Sequence, residues 1–116
     1  MKLMTKAIKA KLEKNAVEGG PFVSIVTNAK PVLKLFTPYG SASWLITELA
    51  KDGDTMFGLC DLGLGEVELG YVSLAELEAV AVGPFGMKIE RDLYFKADKT
   101  LQEYAEEALI NGSIIT

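Results

Sequence analysis

The chain has 116 residues, 49% of them hydrophobic and 24% charged, with a formal net charge of −4, one cysteine and no histidine. That length buries one core without a disulfide or structural metal, and no apolar run approaches the ~20 residues of a membrane-spanning helix. The missing histidine rules out Ser-His-Asp and Cys-His catalysis and His-ligated zinc, so any catalysis rests on carboxylates, Lys, Arg, Tyr or Cys60.

Residues 1–116 read as a single domain with no linker, repeat or low-complexity segment. MKLMTKAIKAKLEKN carries lysine throughout and lacks the apolar centre and small-residue cleavage site of a secretory signal. With the lone Cys60, this sets a cytoplasmic expectation. Thr5 is placed to cap a first helix running to about Lys14, with Leu3, Met4, Ala7 and Ile8 on one face and Lys2, Lys6 and Lys9 opposite. EGGP at 18–21 breaks the chain, and FVSIVTNAKPVLKLFTP reads as extended, interrupted by Asn28 and Pro31 and closed by the turn TPYGS.

SWLITELA and TMFGLCDL then form a hairpin around KDGD, and LGLG leads into EVELGYV. As a strand, this last segment sets Val67, Leu69 and Tyr71 on one face and Glu66, Glu68 and Gly70 on the other. The period changes at Ser73, which with Glu76 has the spacing of a capping box and opens a helix that buries Leu74 and Leu77. VGPFG ends that helix, and RDLYF reads as a last strand. TLQEYAEEALINGS is the clearest helix, with a Thr100/Glu103 box, a stripe of Leu101, Tyr104, Ala105, Ala108 and Leu109, and an Asn111-Gly112 stop. The apolar tail SIIT is left to add an edge strand or to dock on another subunit. This order predicts an α+β fold: a mainly antiparallel meander sheet of about four to five strands with three helices, the helices on one side.

The charge is uneven. Residues 1–37 carry seven lysines against Glu13 and Glu18, a net +5, while the remainder carries −9. That asymmetry suits head-to-tail self-association or an acidic partner, although folding can equally mix both halves on one surface. The glycines of GLCDLGLGEVELG are turn glycines, since the dinucleotide spacing is incomplete, no Gly-Lys-Ser/Thr follows and the next element is a strand. Glu66 and Glu68 are the best acid/base or cation candidates at ~7 Å spacing. Glu48 and Asp61 are placed to extend them and Arg91 to clamp a carboxylate. A solvent-facing strand side produces the same spacing without any chemistry. Trp44, beside Tyr39, is either a binding aromatic or core. Cys60 reads as buried and inert.

At SASWLITELAKDGDTMFGLCDLGLGEVELGYVSLAELEAV and GPFGMKIERDLYF, the chain resembles an uncharacterised bacterial family, domain of unknown function 2958. The positions on its pattern are Trp44, Thr47-Glu48, Phe57-Gly58-Leu59, Glu68-Leu69-Gly70-Tyr71, Ser73-Leu74, Glu76-Leu77, Gly86 and Glu90-Arg91-Asp92; AVAVGPFGM departs from it. The resemblance implies a small bacterial protein often carried on plasmids, conjugative elements and other mobile DNA, and implies no activity. It ranks Glu48, Glu68, Arg91 and Asp92 above Glu66.

The leading expectation is a non-enzymatic accessory protein of mobile DNA that binds a protein partner, forms a homo-oligomer, stays off membranes and uses no cofactor. The alternative is a carboxylate-based enzyme, with or without a metal, or a metal-binding protein, built on Glu48, Glu68, Arg91 and Asp92. A third, nucleic-acid contact through the lysine-faced first helix, is disfavoured because no aromatics interleave with the lysines and the chain is acidic overall.

Overall fold

The computed structural model describes residues 2–19 and 28–116. Part of the extended stretch expected from Phe22 lies outside the described residues. Helix α1 (Lys6–Gly19) runs past the expected Lys14. Its start is as expected, with the Ile8 N–H donating to the Thr5 hydroxyl at 3.1 Å. Its buried stripe differs. Ala7 is exposed, Ile8 is half-buried and Leu12, four residues on, is wholly enclosed.

Strands β1 (Leu33–Phe36), β2 (Ser43–Leu49), β3 (Thr55–Asp61) and β4 (Val67–Ser73) make an antiparallel meander. Helix α2 (Leu74–Ala79) follows β4 directly. A two-stranded ribbon, β5 (Ala81–Val82) and β6 (Met87–Lys88), precedes β7 (Glu90–Arg91), which returns to pair with β1. The sheet order is therefore β4-β3-β2-β1-β7. Helix α3 (Leu101–Asn111) carries the complete capping box, with the Glu103 N–H on the Thr100 hydroxyl and the Thr100 N–H on the Glu103 carboxylate, and stops at the left-handed Gly112. The expected α+β class, meander and three helices are all present among the described residues.

The helices do not share one side. Leu3 and Leu12 near the start, with Leu77 of α2, cover one face of the sheet over Leu33, Leu35, Trp44, Ile46, Leu49 and Met56. On the other face, Leu101, Tyr104 and Ala108 of α3 cover Leu45, Phe57 and Leu59. The reason is visible in the central strands. SWLITEL and TMFGLCD are near-continuous apolar runs, and such strands are stable only when both faces are buried.

Four local expectations are corrected. RDLYF is a strand only to Arg91, because the Asp92 carboxylate accepts the Tyr94 N–H at 2.9 Å and turns the chain away. VGPFG follows the end of α2 as the turn of the β5–β6 ribbon, with Gly83 and Gly86 both at positive φ. The second member of the α2 cap is Asp54. Its carboxylate accepts the Ser73 hydroxyl at 2.7 Å and the Ala75 N–H at 2.8 Å. Finally, SIIT adds no edge strand: Ile114 N–H donates to the buried Asp61 carboxylate at 3.0 Å, and Lys34 Nζ donates to the Thr116 hydroxyl at 2.6 Å.

Candidate functional site: the free edge of the sheet

Three of the five residues singled out by sequence fall in one row across the sheet. Arg91 pairs with Leu35, Leu35 with Trp44, Trp44 with Cys60 and Cys60 with Glu68, all on the α1 face. The row separates its ends. Glu68 on β4 and Arg91 on β7 lie at opposite edges, four strand spacings or roughly 19 Å apart. Between them Trp44 is 4% exposed and part of the core. Arg91 donates instead to the Lys2 carbonyl at 3.0 Å and ties down the start of the chain.

Glu48 and Asp92 lie elsewhere. Glu48 is in register with Phe57, on the α3 face, just past an irregularity in the β2–β3 register at Thr47. Asp92 follows the end of β7, 3.8 Å from Lys34 Nζ. The four ionisable groups therefore do not converge, and no group of three or more carboxylate or thiol ligands is placed to hold a metal among the described residues. Asp61, expected to extend the acidic set, is spent on backbone donors of Gly63 and Ile114.

Two of these positions have shifted protonation. Burial pushes the Cys60 thiol up to about 11, with the neighbouring Glu68 carboxylate adding to the effect, so the thiol is neutral and a poor nucleophile near pH 7. Burial also raises the Glu48 carboxyl, and its Oε2 is enclosed without a hydrogen-bond partner among the described residues. The folded state therefore prefers a neutral Glu48, and the cost of holding it ionised appears as pH rises above the ordinary carboxylate range. Glu48→Gln is expected to raise the melting temperature by a few degrees at pH 7, a gain that disappears below about pH 4, as paired thermal melts at the two pH values would show.

The lysines lie partly along a groove that the sequence did not reveal. Lys11 of α1, Lys30 before β1 and Lys96 after β7 line it together with Asn15 and Phe95, and it encloses about 470 Å³. The three are far apart in the chain, so no local charge run marks the site.

Among the described residues, the outer side of β4 has no strand beside it. The Leu74 N–H donates to the Asp54 carbonyl at 2.9 Å, which makes that pair, and by alternation Met56–Val72, Gly58–Gly70 and Cys60–Glu68, the pairs that exchange hydrogen bonds with β3. The N–H groups of Val67, Leu69, Tyr71 and Ser73 therefore point away from the sheet, with the carbonyls of Val67, Leu69 and Tyr71, while the Ser73 carbonyl, at the N-cap of α2, accepts the first bond of that helix. Among the described residues no strand takes them up. β4 keeps unbroken register over seven pairs and contains neither lysine nor proline, which leaves the Glu68 carboxylate as the charge that blunts this edge. The opposite edge, β7, is only two residues long.

Exposed apolar side chains lie on β4, in the turn leading into it and on α3. Tyr71 is 63% exposed on β4, its ring edge-on to Phe57 at 5.0 Å between centroids. Leu62 and Leu64 are exposed in the β3–β4 turn, and Leu109 and Ile110 at the end of α3. Sequence reading identified the strand and its alternation but assigned its interest to the glutamates. Which strand lies at an edge is a property of the sheet order.

No curated protein and no solved structure matches the chain. Residues 3–115 match a family described as protein of unknown function, DUF2958, which spans both cores, the sheet and its free edge. The chain belongs to that family.

Proposed function

We propose that this chain is a non-enzymatic protein-binding module that takes an extended segment of its partner as an added strand on β4. The observation that carries the reading is the row of outward N–H groups at Val67, Leu69, Tyr71 and Ser73 and outward C=O groups at Val67, Leu69 and Tyr71, with no strand beside them among the described residues. Strand addition draws affinity from main-chain hydrogen bonds and specificity from alternate side chains. On the α3 face, half-buried Val67 and Leu69 and exposed Tyr71 offer contacts for alternate apolar residues of the added strand. The accessory role on mobile DNA fits this reading, because such a module acts by assembling with other proteins rather than by turning over a substrate. The carboxylate-centred alternative needs Glu48, Glu68, Arg91 and Asp92 in one place, and their separation leaves it without that support.

Selection of a displayed random-peptide library against the folded chain tests the reading. Enriched peptides are expected to alternate apolar and polar residues, to protect the Leu69 and Tyr71 amides from hydrogen exchange, and to lose binding on Tyr71→Pro. That substitution removes an outward N–H and leaves the β3 ladder intact. Peptides that bind elsewhere, or that are indifferent to Tyr71→Pro, would overturn it.

A further inference from the structure

We infer that the strand added to β4 is the β4 of a second copy, giving a two-fold dimer with one continuous sheet across both chains. The inference rests on the strand-addition reading and names its occupant.

Three observations favour self-pairing about a two-fold axis at Gly70. First, hydrogen-bond parity is met. An antiparallel copy centred there sets Leu69 opposite Tyr71, which exchange both hydrogen bonds, and Val67 opposite Ser73, whose N–H meets the Val67 carbonyl. Second, the side chains are compatible. On the α3 face Leu69 meets Tyr71 twice, an aliphatic–aromatic pair of the kind that stabilises adjacent strands. On the α1 face Glu68 meets Val72, and the two copies of Glu68 stand four residues apart along the strands, roughly 13 Å, so like charges do not face each other. Moving the axis to Glu68 would oppose the carboxylates directly.

Third, Gly70 is otherwise unexplained. Its φ is not positive, and a Cβ added there meets nothing within 4 Å, so the single chain does not require glycine. A glycine inside a strand weakens it and commonly marks the close approach of another backbone. The proposed axis puts Gly70 opposite its own copy, in a non-hydrogen-bonded pair where the Cα atoms approach to about 4.5 Å. Gly58 pairs with Gly70 inside each chain, so four glycines would line up across the joined sheet.

The full chain is tested by sedimentation equilibrium over micromolar to millimolar concentration, with two variants. A reversible dimer is expected, weakened about 30-fold by Tyr71→Pro, which removes one hydrogen bond from each copy. Gly70→Cys in a Cys60→Ala background is expected to oxidise to a disulfide-linked dimer, since both Cα separation and open space suit the bond. A chain that stays monomeric at millimolar concentration overturns the dimer. So does a dimer that is insensitive to Tyr71→Pro and gives no Gly70→Cys cross-link. If the chain is monomeric yet selected peptides still bind β4, only the second-copy inference fails. If the chain is monomeric and the selected peptides bind elsewhere instead of β4, the strand-addition reading fails with it.

Discussion

Gly58→Ala is expected to cost the fold about 3 kcal/mol or more, enough to leave much of the chain unfolded at 37 °C. An alanine Cβ at this position would fall far inside van der Waals contact with the Leu45 carbonyl oxygen, 2.9 Å from the Leu45 carbonyl carbon and 3.0 Å from the Ile46 Cα. All three are backbone atoms of the neighbouring strand, so no rotamer change relieves the clash. The cause lies at the β2–β3 register shift between Ile46 and Glu48, where the buried Thr47 hydroxyl donates to the Phe57 carbonyl at 3.3 Å. Gly70→Ala is the internal control. It lies directly across from Gly58, meets open space and is expected to leave the monomer's stability unchanged or slightly raised. Urea unfolding of the two variants side by side checks the contrast. Equal midpoints would mean that the close approach of β2 and β3 at Leu45 is misplaced.

Leu12→Ala is expected to lose about 3 kcal/mol, within the range of roughly 2–5 for a fully enclosed leucine. Leu12 is the one wholly buried residue among the described side chains of α1, and its neighbours on the helix are mostly lysine or half-exposed. The helix has no acidic residue in its first turn and no basic residue in its last, so its termini gain little from the helix dipole. Its docking therefore depends on Leu12, on Leu3 and Ile8, and on the bond from Asn15 Nδ2 to the Thr47 carbonyl at 2.8 Å. Far-UV circular dichroism during urea titration separates two results. A single lower midpoint means that α1 and the sheet unfold together. An early partial loss of helix means that α1 detaches first.

The two substitutions mark where sequence reading succeeds and where it stops. The N-cap at Thr5 and the capping box at Thr100 were legible because each depends on residues three apart, and both caps form as read. The β2–β3 hairpin around KDGD was legible for the same reason. Ser73 was legible as a cap, but its second partner, Asp54, lies nineteen residues earlier and is brought near only by the pairing of β3 with β4. Ala7 was placed inside on helical period alone. The rotation of α1 is set by Leu12 reaching the sheet, so the smaller side chain faces solvent.

The candidate site divides in the same way. Alternation placed Glu68 and Gly70 on one side of a strand and Val67, Leu69 and Tyr71 on the other, and the ladder bears this out. Spacing along the chain carried no information about distance across the sheet. Glu68 and Arg91 share a row yet stand at opposite edges, because β7 closes against β1 rather than β4.

By itself the sequence determined the chemistry open to this protein, through the missing histidine and a single cysteine, and the identity and caps of most elements, since these follow from residues a few positions apart. Only the tertiary structure decided that helices cover both faces, that one Glu48 oxygen is enclosed with no hydrogen-bond partner among the described residues and that no described strand pairs with the outer side of β4. Each of those outcomes depends on which strands pair and which surfaces bury one another, and that choice minimises exposed apolar area over the whole chain rather than within any local stretch.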